Sequence, residues 1–226
     1  MNLTPILVRG LCLLIGYGFG LIQSAVIYCN MKGVDIRSVG SGNAGTTNTL
    51  RALGPRAGFT VLFADMLKCI AAVVVASLIT RQILGSGYTD MKYLLKIYTA
   101  AGCVLGHDFP FYTNFRGGKG IACTAGYIVA FKWTFVIGGL LSFLIPFNIT
   151  HFVSLGSLCL YAVFFIQLVA EGQMGLLGMP QTYLIEMYLI AFAMTALAFY
   201  QHRTNIGRLV RGEERKTYIW KKNKVD

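Results

Sequence analysis

Three polar segments of the chain combine glycine with cationic and amide side chains. The first covers residues 38–51, where three glycines between Gly40 and Gly45 precede Arg51. Glycine lets backbone N–H groups approach a ligand closely, and a planar guanidinium suits a phosphate. A helix that starts near Thr46 would add its N-terminal amides. The segment predicts an anion-binding loop, with a flexible polar loop as the alternative.

The second segment, residues 106–120, ends in Arg116-Gly-Gly-Lys119-Gly. Two cations beside bare backbone again favour a phosphate ligand. The segment differs from a P-loop because Gly120 follows the lysine where a Ser or Thr would stand, and because no strand precedes it. It therefore argues against nucleotide hydrolysis. His107 is expected to be a hydrogen-bonding anchor more than a catalyst.

The third segment, residues 202–213, directly follows an apolar run. On a helix, His202, Asn205 and Arg208 would share one face. A histidine at the membrane boundary can act as a base or as a hydrogen-bond donor to phosphate. Glu213 is expected to pair with a cation of the other loops, whereas the arginines also fit plain positive charge on the cytoplasmic side.

Two charged residues, Asp65 and Lys68, lie inside an apolar run and three positions apart. Charges at membrane depth are costly and usually face protein or water. We expect these two to pair with each other in a structural role. Ser154 begins another apolar run and is expected to reach the same cavity, although many membrane serines bond only to their own helix.

The composition indicates the kind of fold that must hold these segments in position. The 226 residues are 55% apolar and only 13% charged, and the mean hydropathy is +0.61. Soluble proteins carry roughly 25% charged residues. Disorder is excluded and a compact soluble domain nearly so, because such a domain would lack the charge to cover its surface. The composition predicts an all-α polytopic membrane protein that forms a single domain over residues 1–226.

Topology follows from the apolar runs and the basic segments. Loop 30–57 and tail 201–226 are basic and should both face the cytoplasm. An N-terminus outside and about seven crossings satisfy both conditions, although 93–105 and 121–131 are short for the roughly 20 residues of a crossing. Alternatively, these two are half-buried helices beside a polar cavity, or they take up residues from the loop between them. The runs are 3–29, 58–80, 93–105, 121–131, 133–149, 152–170 and 183–200.

The C-terminal segment carries much of the net charge of +11. A basic tail after an apolar run marks the cytoplasmic side and can attract anionic lipid. No nucleic-acid-binding pattern accompanies the charge, so no nucleic-acid partner is expected. The six cysteines form no C-x-x-C pair and predict neither a disulfide framework nor a metal site. The tail cations are Arg203, Arg208, Arg211, Arg215, Lys216, Lys221, Lys222 and Lys224.

The three segments resemble the motifs of the bacterial acyl-phosphate:glycerol-3-phosphate acyltransferase family. The first reads Gly40-Ser-Gly-Asn-x-Gly-x-Thr-Asn-x-x-Arg51, and the second Gly106-His-x-Phe-Pro-x(4)-Phe-Arg-Gly-Gly-Lys-Gly120. The third reads His202-Arg-x-Asn-Ile-x-Arg-Leu-x-x-Gly-Glu213. The similarity covers about residues 15–216. Ala44, Cys69 and Cys123 depart from the common family residues, and none is a named phosphate ligand.

The resemblance implies an enzyme of the bacterial inner (cytoplasmic) membrane with about seven spans and a cytoplasmic active site. It would transfer an acyl group from acyl phosphate to the 1-hydroxyl of glycerol 3-phosphate. The products would be 1-acyl-glycerol 3-phosphate (lysophosphatidic acid) and phosphate. The resemblance implies no cofactor and no metal. The implied partners are membrane lipid and a soluble enzyme that supplies the acyl phosphate.

The resemblance also implies roles for individual residues, which are assigned by their positions in the motifs. The resemblance implies that Ser41, His202 and Asn205 take part in catalysis, and that Glu213, Asp65 and Lys68 are structural. Whether His202 or the substrate's own phosphate accepts the hydroxyl proton stays open. The expected ligands of glycerol 3-phosphate are Ser41, Arg51, Lys119, His202, Asn205 and Ser154. The expected acyl phosphate site comprises Gly117, Gly118 and Gly120 with Asn43, Thr47 and Asn48, which also shape the first loop.

Three other functions compete with this one. A transporter or binding protein for a phosphorylated metabolite would also need a cationic cavity, but transporter sites usually lie near the bilayer midplane. A serine hydrolase would need a G-x-S-x-G elbow, which is missing. Acyltransferases that use thioesters carry His-x4-Asp, and here Tyr112, Gly156 and Gly207 stand five residues after the three histidines.

Overall fold

The computed structural model describes residues 4–219 and residue 223, and all regular structure within them is helical. Three tail cations, Lys221, Lys222 and Lys224, lie outside the described residues. Two short 3-10 turns cover Gly85–Gly87 and Phe111–Thr113. The helices are α1 Thr4–Gly20, α2 Ser24–Met31, α3 Thr46–Leu53, α4 Pro55–Leu84, α5 Tyr88–Asp108, α6 Ile121–Phe131, α7 Trp133–Thr150, α8 Val153–Gln173, α9 Gln181–Gln201 and α10 Arg203–Val210.

Each predicted apolar run corresponds to a helix or a pair of helices. Run 3–29 is interrupted between α1 and α2, and the run 93–105 is the middle of a longer helix. That helix, α5, has 21 residues and a length of about 31 Å. The predicted run is shorter because Asp90 and Lys92 lie in the first turns of the helix. The helix is long enough for a crossing, and it takes up residues 106–108 of the following loop.

Membrane character is evident from length and composition. Five helical segments are long and apolar enough to cross a membrane, and one of them, Pro55–Thr113, contains both α4 and α5. With eleven residues, α6 is shorter than a full crossing. Many large apolar side chains on the outer surface are exposed, as expected where lipid is the solvent. The count of seven crossings and the external N-terminus stay predictions.

Close packing of α1 on α5 centres the bundle. Gly16 and Gly20 of α1 lie against the backbone of α5, and Gly102 and Gly106 of α5 lie against the backbone of α1. An added Cβ at any of the four would overlap a carbonyl oxygen of the partner helix. This is the close approach that small residues permit between membrane helices. Gly18, by contrast, faces open space.

The polar segments converge over one end of the bundle. Residues of the first loop, the second loop and α10 line one cavity of about 950 Å³. The cavity continues between α4, α6, α7 and α8, where its walls are apolar. All six cysteines are free thiols, and five of them are buried in the bundle. The fold therefore brings together residues that are as far apart in sequence as Gly40 and Glu214.

Candidate functional site

The first loop is held in shape by the amide of Asn48. Its Nδ2 donates to the carbonyls of Ile36 and Val39 at 3.0 Å each, and its Oδ1 accepts the N–H of Ser41 at 3.0 Å. The side chain is buried, and both ends of the amide are used within the loop. Asn48 thus shapes the loop, and the structure gives no support to its predicted contact with acyl phosphate. Asn43 lines the cavity beside it.

Helix α3 begins at Thr46, as the sequence predicts, with Gly45 as its N-cap. Both residues and Thr47 line the cavity, so the first amides of the helix are placed to meet an anion. The hydroxyl of Thr46 is buried and has no hydrogen-bond partner within the described chain. A buried donor without a partner is costly. It therefore marks a position where a ligand oxygen would fit.

The second loop is fastened to the end of α5. The N–H of Gly117 donates to the Asp108 carbonyl and that of Gly118 to the His107 carbonyl, each at 3.0 Å. An added Cβ at Gly117 or Gly118 would overlap His107. The N–H groups of these two glycines are used within the chain, and the predicted acyl phosphate cradle at Gly117 and Gly118 stays a prediction. The two glycines are needed for close packing.

Gly120 has a different role. Its φ of +70° is in the left-handed region, which turns the chain into α6. Gly120 and the first two residues of α6 line the cavity. The first amides of α6, which have no partner within the helix, therefore begin at the cavity wall.

A hydrogen-bonded chain joins the second loop to the third. Lys119 Nζ donates to Asn205 Oδ1 at 2.5 Å, and Asn205 Nδ2 donates to Glu214 at 2.7 Å. Glu214 also accepts from Ser154 Oγ at 2.9 Å and from Arg208 Nε at 2.8 Å. The carboxylate thereby fixes which end of the Asn205 amide faces Lys119. Glu214 therefore orients Lys119 through Asn205, without contacting the lysine itself.

Burial and neighbouring charges shift the pKa values of two side chains in this hydrogen-bonded chain. Burial and then the charge of Arg208 lower the pKa of Lys119 to about 8, against the opposing effect of Glu214. Burial also disfavours ionisation of Glu214, but hydrogen bonds from Arg208, Asn205 and Ser154 outweigh it, so the pKa of this carboxyl lies below its usual value. Glu214 is therefore ionised at neutral pH, and Lys119 loses its charge in mild alkali.

His202 lies at the junction of α9 and α10 and is buried. Its Nδ1 lies 2.7 Å from the carbonyl of Ala198, an atom that can only accept. The proton of the neutral ring is thus on Nδ1, and Nε2 is a hydrogen-bond acceptor. Burial and then the charge of Lys119 lower the pKa of His202 to about 4. The imidazole is neutral at pH 7 and a weak base.

Arg51 contacts the C-terminal tail. Its Nη2 donates to Thr217 Oγ1 at 2.6 Å and to the Arg215 carbonyl at 3.0 Å. Thr217 is buried, and its N–H donates to the His151 carbonyl at 2.9 Å. The Nη1 group of Arg51 makes no hydrogen bond to any described residue, and Arg51 lines the cavity. The tail therefore covers the site and leaves one guanidinium amino group for a ligand.

Glu213, which the sequence analysis expected to pair with another loop, does not face the cavity. It is exposed and pairs with Arg211 of its own segment at 2.7 Å. The acid that reaches the other segments is its neighbour Glu214, which the analysis missed together with Thr217. Adjacent residues on an irregular segment point in different directions, and no spacing rule selects one of two consecutive glutamates.

Beneath the cavity, Asp65 and Lys68 pair as predicted, with 2.7 Å between Oδ1 and Nζ. Lys68 also donates to the carbonyl of Ile22 at 2.6 Å and contacts His107 Nδ1 at 2.9 Å. Asp65, His107 and Cys123 lie close enough to suggest a metal cluster. The ammonium of Lys68 already neutralises the carboxylate at this position, so we assign the group to helix packing.

The site therefore joins Ser41, Arg51, Lys119, Ser154, His202 and Asn205 at the polar end of one cavity. Its other end is lined by apolar residues such as Leu62, Ile128 and Leu140. The family profile described as glycerol-3-phosphate acyltransferase matches residues 10–212. The chain belongs to the glycerol-3-phosphate acyltransferase family.

Individual relatives agree with this family. A glycerol-3-phosphate acyltransferase of Endomicrobium trichonymphae is 38% identical over 218 residues, which is 96% of this chain and 99% of that protein. The enzyme of Lactiplantibacillus plantarum is 37% identical over 89% of this chain and 88% of that protein.

Solved structures show the same fold. The crystal structure of the integral membrane glycerol 3-phosphate acyltransferase PlsY (YgiH) in its glycerol 3-phosphate form has a TM-score of 0.77. It shares 32% identity over 93% of this chain and 96% of that one. Its lysophosphatidic acid form has a TM-score of 0.75 at 31% identity, with the same coverage. This acyltransferase is accordingly an integral membrane enzyme.

Proposed function

We propose that the enzyme transfers the acyl group of acyl phosphate to the 1-hydroxyl of glycerol 3-phosphate, giving lysophosphatidic acid and phosphate. The observation that carries the proposal is the cavity of about 950 Å³, which joins two phosphate-suited cations to an apolar channel. A ligand with an anionic head and a long tail fits both ends. PlsY, solved in a glycerol 3-phosphate form and a lysophosphatidic acid form, supports the same pair of ligands.

The acceptor phosphate is proposed to lie between Arg51 and Lys119. The free Nη1 of Arg51, the ammonium of Lys119 and the unpartnered hydroxyl of Thr46 are donors on the cavity wall. Ser41 lies in the same loop. Charge-assisted hydrogen bonds from such groups are the strong ones.

The donor is proposed to place its phosphate at the N-terminus of α6 and its chain between α4, α6 and α7. The first amides of α6 and the partial positive charge of that helix end favour an anion. Leu62 and Leu140 line the apolar channel that continues from there. The reactive carbonyl carbon would then lie between the two phosphate sites.

The reaction forms one bond and breaks one. The 1-hydroxyl oxygen attacks the carbonyl carbon, and the bond from that carbon to the phosphate oxygen breaks, so that phosphate leaves with the electron pair. Acyl phosphate has a good leaving group, and positioning with charge stabilisation can supply most of the catalysis. No acyl-enzyme is required, since Ser41 lies in a loop held by backbone contacts with Asn48 and has no base beside it.

The proton of the hydroxyl has two acceptors within this site. His202 Nε2 can accept a hydrogen bond, but its pKa of about 4 makes it a weak base. A phosphate monoester has a second pKa of about 6 and is therefore roughly a hundredfold more basic. We propose that the substrate phosphate takes the proton of the 1-hydroxyl and that His202 Nε2 accepts a hydrogen bond from the neighbouring 2-hydroxyl, which orients the acceptor.

The proposed location is the bacterial inner membrane, with the N-terminus outside and the site facing the cytoplasm. The cavity end carries loop 30–57 and the described tail cations, which the positive-inside rule places in the cytoplasm. A soluble enzyme that forms acyl phosphate could then deliver it to this face.

The direct test offers purified enzyme labelled glycerol 3-phosphate with palmitoyl phosphate, palmitoyl-CoA or palmitoyl-carrier protein in separate reactions. Lysophosphatidic acid from the acyl phosphate reaction alone is the expected result. Product from a thioester alone would overturn the donor, and no product from a folded sample would favour a binding protein or transporter. The Lys119→Ala variant, purified identically, controls for contaminating activity.

The pH dependence of the reaction should reflect Lys119. Below its pKa of about 8 the side chain is a cation, and above it the charge is lost. Because kcat/KM reports the free enzyme, kcat/KM for glycerol 3-phosphate should fall about tenfold per unit above pH 8. Initial rates between pH 6 and 10, corrected for uncatalysed hydrolysis of the donor, measure this limb.

The matched variant is Lys119→Arg, since a guanidinium stays charged throughout this range. Its kcat/KM is expected to be lower than that of the wild type at pH 7 but to lack the fall between pH 8 and 10. An identical alkaline limb in both proteins would assign it to another group.

A further inference from the structure

A second concave surface lies on the outside of the bundle, away from the catalytic cavity. It is a groove of about 370 Å³ between the second half of α4, the start of α5 and the end of α6. The cavity uses α4 only from Gly58 to Met66, whereas the groove uses it from Ile70 to Arg81. The two surfaces therefore use different parts of α4 and α5, and they meet on α6 at Val129, which lines both.

The groove exists because α6 ends early. Helices α4 and α6 both begin at the cavity and run in the same direction, and Gly126 packs against the backbone of Met66. Four residues further along, Ala130 is level with Ile70, and α6 ends at Phe131. Helix α4 continues to Leu84, about 20 Å beyond that level. Its apolar face there is left uncovered.

Two cations border this uncovered face. Lys96 Nζ donates to the carbonyls of Ala130 and Phe131 at 2.7 and 3.0 Å, which caps the C-terminus of α6 and leaves one N–H of the ammonium. Arg81 is exposed and forms no ion pair with any described residue. None of the described residues that line the groove is acidic. The groove thus has a net positive charge and an apolar wall.

We propose that this groove binds an anionic phospholipid, with the lipid phosphate on Arg81 and an acyl chain along Leu78 and Val74. Both apolar side chains are about half exposed, at 60% and 48%. A free phosphate would contact Arg81 only. A phospholipid contacts Arg81 with its phosphate and covers the apolar wall with its acyl chain. The inference is independent of the reaction proposed for the cavity.

The position of the cations supports a specific role. The groove lies at the end of α4 opposite the cavity, which is the non-cytoplasmic side in the proposed topology. Cations are depleted on that side of membrane proteins. Lys92, close to Lys96 in α5, adds to the positive charge there. An anionic headgroup would offset the repulsion between these cations.

The test is native mass spectrometry of the purified, delipidated protein in detergent with equimolar dioleoyl phosphatidylglycerol and dioleoyl phosphatidylcholine. The wild type is expected to retain one phosphatidylglycerol in preference to phosphatidylcholine. Arg81→Gln should lower the bound fraction of phosphatidylglycerol about fivefold, as expected for loss of one cation near a lipid phosphate. Millimolar inorganic phosphate should not displace the lipid, and displacement would indicate a free-anion site.

Two further variants separate lipid binding from folding and from total charge. Arg56→Gln removes one exposed cation from the other end of α4 and should retain lipid as the wild type does. Leu78→Trp keeps both cations but fills the groove, and should also lower retention. Equal retention by Arg81→Gln and the wild type, or equal binding of the two lipids, would overturn the proposal.

Discussion

Replacement of Arg51 by alanine is expected to lower kcat/KM for glycerol 3-phosphate by about 10²- to 10³-fold, as for loss of one preorganised donor. The guanidinium is partly buried, lines the cavity and has one amino group directed to no protein partner. An alanine would leave the substrate phosphate without the charge-assisted hydrogen bond from Nη1 of Arg51. Initial rates with palmitoyl phosphate and varied glycerol 3-phosphate measure the loss.

Three variants decide why the activity falls. Arg56→Ala removes an exposed cation two residues into the next helix and should keep nearly full activity. Arg51→Lys retains the charge without the planar fork and should fall between. Thr217→Val removes the tail contact alone, so a loss as large as that of Arg51→Ala would assign Arg51 to tail closure. Normal kcat/KM for Arg51→Ala would remove it from the phosphate site.

Much of the fold was predictable because hydrophobic runs in a membrane have few alternatives to helix. The bounds of α6 were predicted correctly at 121–131, since glycine and lysine flank it. The break at 21–23 was not predictable. It is stabilised by Lys68, which donates to the carbonyl of Ile22 from another helix. A contact between two helices that are far apart in the sequence cannot be predicted from the residues around the break.

The sequence predicted the cations of the candidate site but not the residues that hold them in place. Arg51, Lys119, His202 and Asn205 stand beside glycine or at a membrane boundary, where their types are informative, and the structure places all four on one cavity. Glu214 and Thr217 act through contacts across the fold. The hydrogen bonds of the Gly117 and Gly118 amides to the end of α5 were likewise not predictable, because a sequence does not show which N–H groups are already bonded.

Glu214→Ala is expected to lower kcat/KM about 10²-fold and the free energy of unfolding by about 2 kcal/mol. The carboxylate is buried and accepts hydrogen bonds from Ser154, Asn205 and Arg208. Without it the Asn205 amide is free to rotate, and Lys119 loses a fixed acceptor. Thermal unfolding in detergent and steady-state kinetics measure the two effects separately.

The neighbouring acid provides the matched control. Glu213 has the same charge and lies one residue away, but it is exposed and pairs only with the exposed Arg211 among the described residues. Exposed ion pairs contribute little, so Glu213→Ala should keep its activity within about twofold. Glu214→Gln, which retains the shape of the side chain but not its charge, should fall between the wild type and Glu214→Ala. If Glu213→Ala were the more damaging variant, the chain from Glu214 through Asn205 to Lys119 would not be what orients the cation.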